Sequence, residues 1–328
     1  MISAEMARLG RLRPLAGLAM VSVAACLWGT VGVANGLMRK DIVFDPALIG
    51  MLRVGMGAIL IFLIARLAGH PLPEMRRLPL APLCLFGLSG AVFQICLFAA
   101  FARVGVTVTV AVTVCAPPMI VVAASALRRG RLPPGWTMVA LMLSVAGLAL
   151  VSFDPQAAVD AAGALDMVGA GLLAGASLAF VGISVAARAA CRTVPCLCVT
   201  YLGLAATGGV LAAVGLSRSS GSLVDLTMLE PRELALLAYI GFAATGGAYC
   251  AFVTGMKLSS SAGVGLIATM TEPAIAAFLA AVLLRETLSL AEAVGCALML
   301  VAMLALFRSE LGTTSRAQRD EAISHSAG

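Results

Sequence analysis

The sequence predicts an all-α integral membrane protein with ten transmembrane helices in two inverted five-helix repeats. Three observations lead to this prediction. Hydrophobic residues make up 61% of the 328 residues and charged residues 12%, and the mean hydropathy is +1.04. A soluble domain could not bury so much apolar surface. The apolar residues also form long uninterrupted stretches, and the two halves of the chain resemble each other.

Each apolar stretch is long enough to cross about 30 Å of hydrocarbon as a helix. Transmembrane β-strands would alternate apolar and polar residues, and the continuous runs here do not fit a barrel. The first stretch is longer than the apolar part of a signal peptide and has nine similar successors, so we interpret it as an uncleaved span. The predicted spans are 14–37, 46–68, 79–101, 104–127, 136–153, 166–188, 194–216, 233–256, 259–283 and 290–308.

The internal repeat is centred on two prolines that lie 155 positions apart, Pro118 and Pro273. With the same offset, Ile120 falls on Ile275, and further apolar positions downstream also match. A repeat of five crossings places its second copy in the membrane upside down, so the repeats are inverted. Such repeats are typical of secondary transporters, in which two bundles move around a site near the bilayer midplane.

The basic residues favour one orientation. With the amino terminus in the cytoplasm, 15 Lys and Arg residues lie in inside loops and tails and six lie in outside loops. This asymmetry follows the positive-inside rule and predicts a multi-pass protein of the plasma (inner) membrane with both termini cytoplasmic. The pI near 9.0 therefore follows from topology. No basic stripe with aromatic stacking partners indicates a nucleic-acid partner.

The predicted organisation has five parts. A cytoplasmic segment leads into the first repeat, an external linker joins the repeats, and a polar tail, expected to be disordered, follows the second. The boundaries are 1–13, 14–153, 154–165, 166–308 and 309–328.

Short motifs in a fixed order accompany the repeat. The second half contains Glu272-Pro273 and then Leu-Arg-Glu-Thr-Leu around Glu286, while the first half contains Leu-Trp-Gly-Thr around Trp28 and a basic residue, Arg53. This series resembles the Glu-Pro-Val…Leu-Gly-Glu-x-Leu signature of the drug/metabolite transporter superfamily, EamA type. The resemblance covers about residues 14 to 308. In the first half, Arg131 replaces the acid of the signature, so the role of that acid survives only at Glu286.

The resemblance implies a secondary-active carrier rather than an enzyme. Its partners would be the lipid bilayer and a small metabolite, amino acid or drug-like compound, commonly exported in an efflux reaction by alternating access. Protons are a candidate coupling ion, no cofactor or metal is expected, and a homodimer is one option for the assembly. A membrane-embedded enzyme for lipid-linked substrates and a non-transporting scaffold or pore remain alternatives. The enzyme would need an acidic or histidine cluster, which the sequence does not show.

Glu272 is the only acid well inside a predicted span, and a charge at that depth is by default a sign of function. The next residue, Pro273, has no amide hydrogen, so the carbonyl of Thr269 loses its helical partner and can coordinate a ligand. We hypothesise that Glu272 lines a central cavity and links proton movement to substrate passage. A structural, hydrogen-bonded carboxyl is the alternative.

The fourth span carries related features, Thr113, Pro117 and Pro118. Broken helices at corresponding places in two halves are a pointer to a transport site, so the three prolines are candidate hinges, with simple kinks as the alternative. Further cavity candidates are Trp28, Gln94 and Tyr249, for which ordinary packing is the alternative. We interpret Arg53 as a structural charge that snorkels to the interface or pairs with a carbonyl, with ligand binding as the alternative. Glu286 is interpreted as a helix-capping or solvated residue.

Overall fold

In the computed structural model the described residues are 2–37, 46–69, 74, 76, 78–104, 106–130, 132, 134–151, 167–218, 230–283, 290–291 and 293–308. Within these ranges all regular structure is helical, which confirms the all-α prediction. Glu286, the predicted external linker 154–165 and the predicted tail 309–328 lie outside the described residues.

The helices follow the apolar stretches closely. Within the described residues, six helices contain apolar segments long enough to cross a membrane. Four shorter apolar segments, one of them divided between two helices, coincide with the remaining predicted spans. Their bounds are α1 Ile2–Gly36, α2 Pro46–Leu67, α3 Leu80–Val104, α4 Val106–Arg129, α5 Gly135–Val151, α6 Met167–Ala190, α7 Cys196–Arg218, α8 Pro231–Leu258, α9 Ala262–Thr269, α10 Glu272–Leu283 and α11 Ala293–Arg308.

The predicted span 259–283 forms two helices, α9 and α10, with a break at Met270 and Thr271. Ser261 caps the start of α9 by accepting a hydrogen bond of 3.1 Å from the Val264 amide. At its end, the hydroxyls of Thr269 and Thr271 donate to the carbonyls of the preceding turn. These side chains compete with backbone amides for the same acceptors. Because Pro273 has no amide hydrogen to continue the ladder, the helix ends and restarts here.

The corresponding break in the first repeat is absent, and that expectation was wrong. α4 continues as one helix through Pro117 and Pro118, both of which are buried. Two prolines remove two hydrogen bonds, but their fixed φ is compatible with a helix. α4 packs against both α6 and α9, and this packing holds the helix together where its own hydrogen bonds are missing.

A second irregularity lies in the middle of α8, where Phe242–Gly247 forms a π-helical turn. The amide of Ala248 reaches back five residues to the carbonyl of Ala243, and the Thr245 hydroxyl donates over the same interval to Ile240 O at 2.7 Å. The extra residue changes which side chains face the helix neighbours. Such turns are rare and occur frequently at functional sites.

The helices pack in crossed pairs drawn from the two halves of the chain. α3 packs extensively on α6, α1 on α8 and α2 on α7. Small residues permit the close approaches, as is usual between membrane helices. For example, a Cβ on Gly57 would lie 3.0 Å from the backbone nitrogen of Gly246, so α2 and α8 touch backbone to backbone.

A close backbone contact joins α1 to the end of α8. A Cβ on Gly17 would lie 2.7 Å from the Ser259 nitrogen and 2.9 Å from the Gly255 carbonyl oxygen, and a Cβ on Gly255 would lie 2.7 Å from the Gly17 carbonyl. All of these neighbours are backbone atoms, which cannot turn aside as a side chain can. Only glycine fits at either position without separating the two helices.

Gly17→Ala is therefore expected to lower the free energy of unfolding by about 1–3 kcal/mol, the usual effect of overpacking. Thermal unfolding of the detergent-purified protein measures the change. Gly209→Ala is the matched control, because nothing lies within 4 Å of a Cβ at Gly209 in α7. Equal melting temperatures for the two variants would contradict the close contact.

Candidate functional site

Aromatic rings from four helices form a cluster in the interior of the bundle. Trp28 of α1 lies at its centre, with its ring centroid 5.3 Å from Phe252, 5.4 Å from Tyr249 and 6.0 Å from Phe180. Phe93 extends the cluster from α3, 5.4 Å from Phe180. Most of these contacts are edge-on or tilted, the arrangements that aromatic quadrupoles favour. The aromatic cluster (Trp28, Phe86, Phe93, Phe180, Tyr249 and Phe252) thus connects α1, α3, α6 and α8.

A cation lies close to this cluster. Arg53, about two turns into α2, donates from Nε to the hydroxyl oxygen of Thr245 at 3.2 Å. The same hydroxyl donates to Ile240 O, so Thr245 uses its hydrogen inside α8 and its lone pair for the guanidinium. The π-helical turn is therefore what presents the acceptor to Arg53.

The carboxyl of Glu272 faces the same region. It interacts electrostatically with both Arg53 and Tyr249, but among the described residues no hydrogen bond or ion pair joins Glu272 to Arg53. Both side chains are surrounded by protein atoms, yet both keep part of their surface accessible. The two opposite charges therefore border accessible space that the neighbouring side chains do not fill.

α1 holds the first turn of α10 in position. A Cβ on Gly29 would lie 2.8 Å from the carbonyl oxygen of Glu272 and 3.2 Å from the nitrogen of Ala276. Trp28 is the neighbour of Gly29 in the sequence, so the helix that carries the central aromatic ring also contacts the turn that carries the acid. We call Arg53, Thr245, Tyr249 and Glu272 the polar group.

Comparison with known proteins concerns the family and the fold. The EamA-like transporter family matches the chain over residues 15–153 and again over residues 167–308. The chain belongs to the EamA-like transporter family. A search of curated proteins found no match. Among 27 matching chains of solved structures, one crystal structure has a TM-score of 0.70 at 19% identity, over 88% of this chain and 97% of that one. That likeness concerns the fold alone.

Four of the predicted site residues in this EamA-like chain come together: Trp28, Arg53, Tyr249 and Glu272. Thr113 and Thr269 are buried, and each hydroxyl donates at 2.7 Å to a carbonyl of its own helix, Thr109 O and Leu266 O. Pro273 is buried in the first turn of α10.

Gln94 of α3 has a different environment. Its side chain is 4% exposed, and its Oε1 atom is enclosed without a hydrogen-bond partner. One and two turns earlier, Gly90 and Gly87 on the same face of α3 contact Thr207 and Ala206 of α7, so these glycines serve close helix packing. An enclosed acceptor without a donor is costly and is uncommon unless a ligand or water completes it.

Sequence reasoning missed Phe252 as a site residue, and it missed the irregular turn around Thr245. The available signal was local: the Thr-Gly-Gly run from Thr245 to Gly247, where small residues permit an irregular turn, and the spacing of three between Tyr249 and Phe252, which places both rings on one helix face. Neither pattern indicates by itself that α2 would bring an arginine to the same place.

A second hollow of about 450 Å³ lies between α4 and α6. Its walls are almost entirely apolar and include Val112, Ile120 and Leu173, with Ser177 as the one polar side chain. The Ser177 hydroxyl already donates to Leu173 O at 2.8 Å. Without an available polar group this groove can recognise little more than hydrocarbon, so we assign the candidate site to the polar group and the aromatic cluster.

Gln94→Met tests the enclosed acceptor. Replacing it by an apolar side chain of similar length removes the desolvation penalty of an unpaired oxygen and is expected to raise the free energy of unfolding by about 1 kcal/mol. Thermal unfolding of the purified protein without substrate measures the change. Gln94→Ala, which adds a cavity, separates volume from polarity and should destabilise. Destabilisation by both variants would mean that Gln94 has a partner in the native protein.

Proposed function

We propose that this protein is a secondary-active carrier that exports a small metabolite, amino acid or drug-like compound across the plasma (inner) membrane by alternating access. Family membership supports transport rather than catalysis. The observation that carries the proposal is the polar group, in which Arg53 and Glu272 project into open space deep between membrane helices. Charged groups at that depth are expensive to maintain and typically mark a substrate or ion pathway.

In this proposal all ten predicted spans cross the membrane as two inverted five-helix repeats, with domain boundaries at 14–153 and 166–308. The packing pattern supports it. Matching the two repeats in order pairs α1 with α6, α2 with α7 and α3 with α8. Under this match the contact of α3 with α6 corresponds to the contact of α8 with α1, and the contact of α2 with α7 corresponds to itself. A pseudo-two-fold axis in the membrane plane relates helices in this way.

We further propose that both termini are cytoplasmic, which places the Gly17–Gly255 contact at the cytoplasmic end. A second contact strengthens that end: Arg188, in the last turn of α6, donates to the carbonyls of Met256 and Ser259, the latter at 3.2 Å. A cation there also complements the dipole at the carboxyl end of α8. In this arrangement the cytoplasmic end is closed, and inward opening requires α1 and α6 to separate from the end of α8.

Substrate passage involves further residues in this proposal. Trp28, Gln94, Thr113, Tyr249, Thr269 and Glu272 line the substrate path. Pro117, Pro118 and Pro273 are hinge points, at which α4 and the α9–α10 pair bend between states. The hydrogen-bond ladder is already interrupted between α9 and α10, so bending there breaks few further hydrogen bonds. Glu272 couples the transport of substrate to that of protons.

The topology can be tested with single cysteines at Glu74 and Glu230, which precede α3 and α8, in a chain whose nine native cysteines have been replaced by serine or alanine. In intact cells, an impermeant maleimide is expected to label Glu230→Cys and to leave Glu74→Cys unlabelled until the membrane is permeabilised. Labelling of both from the same side would rule out the inverted arrangement.

Glu272→Gln tests the coupling in proteoliposomes. Glutamine cannot take up a proton, so a pH gradient is expected to drive substrate accumulation by the wild type and no accumulation beyond equilibration by the variant. Glu74→Gln, an exposed acid, is the matched control and should behave as wild type. A Glu272→Gln protein with the wild-type rate, affinity and pH dependence would remove this carboxyl from the mechanism.

A further inference from the structure

Arg53 is always charged, yet part of its guanidinium has no hydrogen-bond partner among the described residues. A guanidinium offers five N–H donors and stays ionised under all ordinary conditions. Its Nε donates to Thr245, but among the described residues its two terminal nitrogens have no partner. They are also not enclosed: within the described part of the chain, Gln94 Oε1 is the one buried side-chain nitrogen or oxygen without a partner. The outer fork of Arg53 therefore faces the open space.

The charge that balances Arg53 stands apart from it. Glu272 attracts the guanidinium through space, and its carboxylate oxygens likewise have no hydrogen-bond partner among the described residues. In a poorly polarisable interior, opposite charges gain most from direct contact. Two such charges with accessible, unpaired polar atoms leave room for a ligand group to bind between or beside them.

The geometry favours a carboxylate as that ligand group. The Thr245 hydroxyl fixes Nε, so the terminal nitrogens are held as a planar fork, which matches the two oxygens of a carboxylate. Tyr249 lies within electrostatic range of Arg53, and its ring contacts Trp28 at 5.4 Å, so an aromatic wall is available for an apolar body. A phosphate monoester fits less well, because it carries more than one charge at neutral pH and the polar group contains a single acid.

We propose that Arg53 binds the carboxylate of an organic monocarboxylic acid, and that Glu272, its resident counter-ion, takes up one proton when this anion binds. Charge balance requires the uptake of this proton. The empty polar group is neutral, with one guanidinium and one carboxylate. An added anion would leave a net negative charge in the membrane interior, and one proton on a Glu272 carboxylate oxygen restores neutrality. Among the described residues, Arg53 and Tyr249 are the ionisable groups that interact with Glu272.

This inference rests on the proposed carrier function and adds the substrate class and the stoichiometry. The proton and the anion enter the space from the same aqueous side, because both bind to the same open state. Each turnover then moves one organic anion together with one proton, which amounts to carrying the acid in its neutral form without requiring the neutral form to exist in water.

Binding to the purified full-length protein in detergent tests the proposal directly. The probes are acetate, hexanoate and benzoate, each compared with its neutral amide, and isothermal titration in buffers of different ionisation enthalpy counts the protons. We expect at least one acid to bind about tenfold or more tightly than its amide, because a charge-assisted pair is lost in the amide, with uptake of one proton per anion. Failure of all three acids to bind better than their amides would overturn the proposal.

Variants assign the two roles. Arg53→Gln is expected to abolish the preference for acid over amide, whereas Glu272→Gln should retain anion binding and take up no proton. Arg66→Gln, an exposed arginine at the end of the same helix, is the matched control and should behave as wild type. If Arg53→Gln does not fold, Arg53→Lys replaces it in the test. This variant keeps the charge without the fork and is expected to show an intermediate preference for acid over amide. An acid preference that survives in Arg53→Gln would overturn the assignment.

Flux in proteoliposomes separates this inference from the function on which it rests. Anion binding with proton uptake but no counterflow would refute the carrier and leave the anion site intact. Counterflow of neutral or cationic compounds, without any preference for acids, would support the carrier and refute the anion site.

Discussion

The main constraint on this fold is that a helix in a membrane must satisfy its own backbone polar groups, because lipid offers no alternative partners. The described helices depart from regular hydrogen bonding in few places. Two of these departures are the π-helical turn of α8 and the break between α9 and α10. Thr245 lies in the π-helical turn, and Glu272 directly follows the break. Arg53 interacts with both of these residues. The polar group therefore forms where the regular backbone is given up, and side-chain hydroxyls of threonine satisfy part of what is lost.

Close packing of small residues is the second requirement. Gly57 and Gly246 bring α2 against α8, and Gly29 brings α1 against the first turn of α10. These contacts set the distances at which Arg53 and Glu272 face each other, and at the same time place Trp28 among the rings of α6 and α8. Glycine weakens a helix as an isolated element, yet here the glycines determine the position of the charged and aromatic side chains.

Several features of the site could be predicted from local sequence. Glu272 was recognisable because an acid deep in an apolar stretch requires an explanation, and Pro273 because a missing amide predicts an interrupted ladder. The same reasoning failed at Pro117 and Pro118, where packing by neighbouring helices keeps α4 continuous. The local pattern shows which hydrogen bonds are lost, but whether a helix breaks depends on competing hydroxyls, such as those of Thr269 and Thr271, and on what presses against it from outside. Arg53 was interpreted as a structural charge for a similar reason: nothing near it in the chain indicates its partners.

The sequence by itself determined the class of protein and the approximate limits of its helices. A long apolar stretch has few structures available in a membrane, so length and hydropathy are sufficient. Family membership follows from short motifs and a repeated pattern, which the family model matches over residues 15–153 and 167–308. The tertiary structure alone decided which polar groups meet. Arg53 belongs to the first half of the chain, and Thr245, Tyr249 and Glu272 belong to the second. Their meeting depends on helix crossings set by glycine contacts and on the one-residue shift of a π-helical turn. Neither feature has a period that can be read along the chain.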